Sequence, residues 1–211
     1  MTRATEILPN TYRFEGERFY GSQVGTYLLN LPKQVVLIDV PAFRPDSVEF
    51  VRSFGKPINC IATHGSTIIG DSRMWQRELG VRILLHAADR GNEWLAGEPD
   101  EFLTGAETRI DRLRVIHTPG HSAGSVCILD HETKALFSGD TLAGTPSGRV
   151  RSLQDSVHDQ DSAQRTESVQ KLLRRDFTAV FPFHYSPILV NSREQIAELL
   201  SSYRGASCAA V

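Results

Sequence analysis

The chain has 211 residues, 40% of them hydrophobic, enough to bury one sizeable core, and its 23 basic and 25 acidic residues leave a net charge of -2. A balance so near neutral sets up no field for nucleic acid or an anionic membrane surface, and no run approaches the ~20 apolar residues of a membrane span. Three cysteines, Cys60, Cys127 and Cys208, form no paired motif, and Met1 to Asn10 lacks a basic stretch leading into an apolar one; a cytoplasmic protein with no nucleic-acid or membrane partner is expected.

From the N-terminus the pattern predicts strands over Tyr12 to Phe14, Gly25 to Leu31 and Val35 to Val40, the last two joined at Pro32-Lys33. Val48 and Val51 give Asp46 to Phe54 helical spacing, Ile58 to Thr63 is β-rich, and Asp71 to Leu79 predicts a helix with Asp71 or Ser72 as its cap. Val81 to His86 predicts another strand, Ala87 to Leu95 a helix, and Gly97 to Gly105 a polar, turn-rich excursion. Arg112 to His117, Ser125 to Asp130 and Lys134 to Ser138 follow one another across short connections, which implies antiparallel neighbours in a mixed sheet. Ala143 to Asp161 is too polar and too long for a plain connection and is expected to border a site. Ser162 to Arg174 has the spacing of an amphipathic helix, Thr178 to Pro182 is a short strand, and Ser192 to Tyr203 is a final helix. Residues 1–204 are expected to form a single domain, with a flexible tail over residues 205–211.

Four apolar runs end in a potential metal ligand: Ile58 to Ala62 before Thr63-His64, then Thr118-Pro119-Gly120-His121, Ser138-Gly139-Asp140-Thr141 and Phe181-Pro182-Phe183-His184. Histidine and aspartate at strand ends are how an α/β scaffold gathers distant residues around one ion. Neutral imidazole and carboxylate suit zinc or iron, and His64, His121, Asp140 and His184 meet the count of about three protein ligands that a catalytic metal needs beside an open position. The remaining histidines have plainer roles. Strand geometry carries His117 away from His121, His86 ends an apolar run as a packing residue, and His131 falls in an exposed hairpin turn. His158 lies in the long polar loop with Arg149 and Arg151, whose guanidinium groups are candidates to recruit an anionic group of a substrate.

In order and spacing these fragments resemble the metallo-β-lactamase superfamily along nearly the whole chain. Thr118-Pro119-Gly120-His121-Ser122-Ala123-Gly124-Ser125 is similar to the family's Thr-Pro-Gly-His-Thr-x-Gly-Ser motif. Leu136 to Leu142 resembles the segment carrying its bridging aspartate, Val36 to Asp39 its early strand ending in aspartate, and Phe177 to Tyr185 its last strand and histidine loop. The resemblance implies an α/β fold, a four-layer αβ/βα sandwich with mixed, largely antiparallel sheets and the site at one edge. The family's first motif is His-x-His-x-Asp-His, whereas His64-Gly65-Ser66-Thr67-Ile68-Ile69 keeps only its first member. By residue-by-residue transfer one metal site keeps His64, His121 and Asp140, and the other keeps only Asp140 and His184. One divalent metal, zinc or iron, is therefore expected where relatives hold two. Asp71, two residues past the motif, is the candidate to take over the missing aspartate's work with water and leaving group.

Two functions follow. The first is a mononuclear metal-dependent hydrolase of a small ester, thioester or lactone, with Asp140 and Asp71 as catalytic carboxylates and Ser66, Thr67, Tyr185 and Arg149 lining the substrate's place. Tyr185 and Phe183 flank His184 where the family commonly has glycine, which should narrow the pocket. The second is an inert descendant of the fold, with no metal, in which Ser66, Thr67, Ile68 and Ile69 line a partly apolar cleft for a small ligand or a protein partner. A homodimer is compatible with either.

Overall fold

The computed structural model describes residues 4–68, 71–95, 97–151 and 159–208, with side chains as far as residue 202. The strands are β1 Ala4–Leu8, β2 Thr11–Phe14, β3 Arg18–Phe19, β4 Ser22–Gln23, β5 Tyr27–Asn30, β6 Val35–Ile38, β7 Ile58–Ile61, β8 Arg82–His86, β9 Glu101–Leu103, β10 Glu107–Ile110, β11 Leu113–His117, β12 Val126–Asp130, β13 Ala135–Gly139 and β14 Ala179–Pro182. The helices are α1 Pro45–Arg52, α2 Ser72–Leu79, α3 Ser162–Leu172 and α4 Ser192–Cys208.

Two sheets carry the architecture. One runs β1-β2-β5-β6-β7-β8-β9, the other β10-β11-β12-β13-β14, and β3 with β4 forms a separate hairpin. The first sheet is antiparallel from β1 to β6 and parallel from β6 to β9, because α1, α2 and then the segment between β8 and β9 return the chain to the same end of the sheet. In the second sheet β10 to β13 are antiparallel, as short connections dictate, and β14 joins β13 in parallel after the α3 crossover.

The central strands are apolar at successive positions because both of their faces are covered. In β6, Val35 and Leu37 point to a core shared with Val48 and Val51 of α1 and Trp75 of α2. Val36 and Ile38 point the other way, into a core between the sheets that includes Val115, Ile128, Phe137 and Phe181. A third core lies on the far side, where Ile116, Cys127, Leu129 and Leu136 meet Val169 and Leu172 of α3 and Ile196 and Leu200 of α4. Helix, sheet, sheet, helix is the four-layer αβ/βα arrangement implied by the sequence. Among the described residues no helix is long and apolar enough to cross a membrane.

Three expectations change. Ala87 to Leu95 forms only a 3-10 turn over Ala87–Asp89, because the Asp89 carboxylate is drawn into contacts with two distant loops instead of capping a helix. The excursion from Gly97 to Gly105 contains β9, whose three residues are too few to show a periodicity. At the C-terminus α4 continues to Cys208, into the segment where a flexible tail is expected, while residues 209–211 lie outside the described residues. β1 and β10 have no counterpart among the predicted strands, since both are partly exposed edge strands without an apolar run.

The inter-sheet core centres on Phe137, fully buried, with its ring 5.1 Å from Tyr27 and stacked 5.3 Å from Phe181. Phe137→Ala should lower the unfolding free energy by about 3–5 kcal/mol in a urea titration; a loss under about 1 kcal/mol would mean that the two sheets do not meet on this ring.

Candidate metal centre

The parallel pairing of β6 with β7 and of β13 with β14 sends Asp39, His64, Asp140 and His184 to one edge of the sandwich. Backbone bonds stitch the sheets together there: Val126 N donates to Thr63 O at 2.8 Å and Gly25 N to Phe183 O at 2.7 Å, while Phe183 N, just past β14, donates to Gly139 O of the neighbouring β13 at 3.1 Å. Two glycines are required by this closeness. Gly139 precedes Asp140 at φ 52°, and a Cβ on it would lie 2.5 Å from Thr63. Gly120 precedes His121 at φ 137°, and a Cβ there would lie 2.2 Å from the Arg165 backbone nitrogen. Asp39 and Tyr185 also adopt positive φ, at 60° and 69°. Positive φ at a non-glycine residue is therefore found beside the ligand candidates as well as elsewhere in the chain.

Three imidazoles converge on one oxygen. The Nε2 atoms of His64, His121 and His184 lie 3.5, 3.5 and 3.6 Å from Asp140 Oδ2. Ligand atoms of His64, His121 and Asp140 all fall within 4.8 Å of one another, and His184 approaches the same carboxylate from outside that triad. His64 Nε2 and Asp140 Oδ1 are buried without a hydrogen-bond partner. Such atoms ordinarily cost about 1–3 kcal/mol each, and two of them without a partner among the described residues, on members of one His/Asp cluster, fit a bound divalent cation.

The protonation states agree. Burial foremost, with the neighbouring His121, pushes His64 down to about 4, so its imidazole is neutral at pH 7. Burial would raise Asp140, but His64, His184, His121 and Arg165 outweigh it and hold its carboxyl below the usual range, hence ionised. Neutral imidazole and carboxylate are the forms that coordinate a metal.

Each buried histidine is aimed by a second group. Thr63 Oγ1 lies 3.1 Å from His64 Nδ1 and 2.9 Å from Asp39 Oδ1, while Thr63 N donates to the same Asp39 oxygen at 2.7 Å. His121 Nδ1 lies 3.1 Å from Asp159 Oδ1, and Arg165 Nη1 donates to Asp159 Oδ2 at 2.6 Å. Burial opposes ionisation of Asp159, yet His121 and Arg165 prevail and hold it below the ordinary carboxylate range. Asp89 ties the two ligand loops to each other: its Oδ2 accepts from Gly65 N and Ser122 Oγ, and its Oδ1 from Gly124 N.

The other predicted site residues fall as follows. Asp71 is outside the cluster; its Oδ2 accepts from Phe43 N at 2.7 Å, and it precedes α2 without making a side-chain cap bond. Thr67 is buried and donates to His64 O at 2.9 Å, so it holds the turn from within, while Ser66 on the same turn is half-exposed. Ile68 belongs to the core beside α1 and α2 and lines no cleft, and Ile69 lies outside the described residues. Tyr185 is half-buried beside His184, with its carbonyl accepting from Arg13 Nη2. Phe183 is buried, its ring packed against His64 and His184. Arg149 is exposed, its backbone nitrogen bonded to Thr145 Oγ1, and His158 lies outside the described residues. His86 and His117 stack on each other at 3.9 Å, which is the packing role expected of them.

A two-sheet sandwich with a His/Asp cluster at one edge defines a class of metal-site scaffold, and comparison with known proteins identifies it. A family model described as the metallo-beta-lactamase superfamily matches residues 46–184, and the chain belongs to that superfamily. It is 37% identical over 95 residues to a hydroxyacylglutathione hydrolase of Rhizobium etli, covering 44% of this chain and 32% of that protein. It is 27% identical over 148 residues to an atrochrysone carboxyl ACP thioesterase of Aspergillus fumigatus, covering 66% of this chain and 34% of that one. The matched stretches thus span about a third of the length of these relatives. Among solved structures, the metallo-β-lactamase FIM-1 of Pseudomonas aeruginosa in its mono-zinc form superposes with a TM-score of 0.75 at 17% identity, over 96% of each chain.

Asp39 gives the centre a titration of its own. Burial raises it to about 7 against donation from Thr63, so between the ordinary value of 3.8 and about 7 the folded chain keeps a proton that the unfolded chain releases. Stability from Asp39 therefore falls as pH rises through that window. His64 has the opposite slope: between about 4 and its ordinary 6.5 the unfolded chain binds the extra proton, so its contribution is lost as pH falls. In metal-stripped protein the two oppose each other. Asp39→Asn leaves His64 alone, and its unfolding free energy relative to wild type should rise with pH by up to ~1.4 kcal/mol per unit between about pH 4.5 and about pH 6.5. A pH-independent difference in urea titrations would show that Asp39 is ionised throughout.

Proposed function

We propose that this chain is a metal-dependent hydrolase that holds one divalent ion, zinc or iron, with His64, His121 and Asp140, assisted by His184, and acts on a small ester, thioester or lactone. The observation that carries this reading is the convergence of three imidazole nitrogens on Asp140 Oδ2 beside two buried, unpartnered polar atoms. The activities for which the Rhizobium and Aspergillus relatives are named support hydrolysis of an acyl derivative. The mono-zinc form of the Pseudomonas enzyme supports a single ion on this fold.

The ion, when bound, supplies Lewis acidity that polarises a carbonyl and lowers the pKa of a coordinated water. The chain's own residues do the rest. His64 and His121, held through their Nδ1 atoms, would hold the ion through Nε2. Asp140 Oδ1 has no other partner and is placed to accept a proton from the attacking water. Asp71, committed to the Phe43 amide, is left out of the proton path. Trp94, 5.6 Å from His121, supplies apolar surface beside the ligands.

Metal content tests this directly. Protein prepared without chelator should carry about one equivalent of zinc or iron per chain by mass spectrometry, and His121→Ala should carry almost none. The loaded protein should hydrolyse small thioesters and lactones at rates that disappear with chelator and return with metal. If wild type and His121→Ala both lack metal, the chain is instead an inert member of the family with a ligand-binding cleft.

A further inference from the structure

The long polar segment after β13 ends in three residues that close onto His121 from outside. Asp161 N donates to Gly120 O at 2.8 Å and Gln160 N to His121 O at 3.1 Å, so the backbone is locked to the turn that carries the histidine. Asp161 caps α3 by accepting from Gln164 N at 2.9 Å, and Ser168 Oγ of the same helix donates to Pro119 O at 2.7 Å. Within this clamp lies Asp159, its side chain fully buried, with Oδ1 on His121 Nδ1 and Oδ2 on the equally buried Arg165. Arg165 also donates through Nε to the carbonyl of Thr141, the residue after Asp140. A single guanidinium therefore braces the supports of two ligand candidates on different loops.

A neutral imidazole has one N–H, and an ionised carboxylate only accepts hydrogen bonds. In a neutral ring, Asp159 beside Nδ1 holds the one proton there, so that Nε2, on the side of Asp140, is the nitrogen left for a metal. His64 reaches the same state through the Thr63 hydroxyl and Asp39, so the two rings are set alike by different means. Arg165 decides which end of the Asp159 carboxylate is available, because its Nη1 claims Oδ2. Sequence position gives no hint of this, since Asp159 is 38 residues from His121 in a polar stretch.

We infer that Asp159, braced by Arg165, is a positioning residue that fixes the Nδ1–H tautomer of His121 and thereby tunes the affinity of the centre for its metal. The consequence for metal rests on the function proposed above; the tautomer does not. Asp159→Asn is the informative change. Arg165 should keep the amide oxygen, turning the NH2 group toward His121 Nδ1 and forcing the ring proton to Nε2, the atom needed for coordination.

The experiment reads the imidazole 15N shifts of metal-free protein at a pH where the His121 ring is neutral, with the His121 signals identified by their loss in His121→Gln, and zinc affinity by competition with a chromophoric chelator. Wild type should show His121 protonated at Nδ1. Asp159→Asn should show it protonated at Nε2 and bind zinc about 10- to 100-fold more weakly, with its thermal transition retained. Should Asp159→Asn not fold, Asp159→Ala reads the same point, as His121 should then populate both tautomers. A wild type that shows the Nδ1 proton, with the variant's shift in place, but binds no zinc would support the positioning role and sink the hydrolase reading. An unchanged His121 tautomer in the folded variants, or a wild type already protonated at Nε2, would overturn the positioning role whatever the metal result.

Discussion

An ionised carboxylate withdrawn from water costs several kcal/mol unless partners replace its hydration, and Asp140 is such a group at the meeting point of both sheets. Three imidazoles and, at longer range, Arg165 stabilise its charge. Those partners arrive from different parts of the chain: His64 follows β7, His121 follows β11, His184 follows β14, and Arg165 lies on α3. The close approach of the sheets at this edge is what brings them within reach, down to glycines where a Cβ would collide with the opposing backbone or side chain. Strain at positive φ beside the ligands is tolerated because three apolar cores hold the strands that carry them.

The histidines are ordered through a further shell that is as buried as the ligands. Asp39 with Thr63 serves His64, Asp159 with Arg165 serves His121, and Asp89 bonds the two ligand-bearing turns to each other. Three carboxylates in supporting positions make an unusual demand on a protein interior, and each is met by named donors. Asp39 differs from Asp159 in having hydroxyl and amide donors but no cation, which is why burial wins there and raises it to about 7. With the guanidinium of Arg165 against it, Asp159 moves the other way. The same chemical group thus does different work according to whether a full charge stands beside it.

Much of this was legible in the sequence. His64, His121, Asp140 and His184 each close an apolar run, and strands buried on both faces must be apolar throughout, so the ends of such runs mark the edge where loops can gather ligands. Asp39 was marked only by the resemblance of Val36 to Asp39 to the family's early strand. Asp89, Asp159 and Arg165 were not legible, because each stands in a polar stretch whose local pattern is that of a solvated loop or helix face. For Asp71 the sequence offered only proximity to the degenerate motif, which says nothing about where a short side chain points, and its carboxylate accepts from the Phe43 amide.

The sequence by itself determined most of the strands and helices and the edge where the His/Asp cluster sits, since alternation, run length and strand-end residues are local properties that survive any detail of packing, while the layers were implied by the resemblance of its motifs to the family's. Tertiary structure decided the rest. Whether Ala87 to Leu95 became a helix depended on Asp89 finding donors in two other loops, and which carboxylate would serve His121 depended on how α3 docks against the Pro119–His121 turn. Hydrogen bonds act over about 3 Å, and contacts between residues far apart in the chain are set only when the whole sandwich has closed.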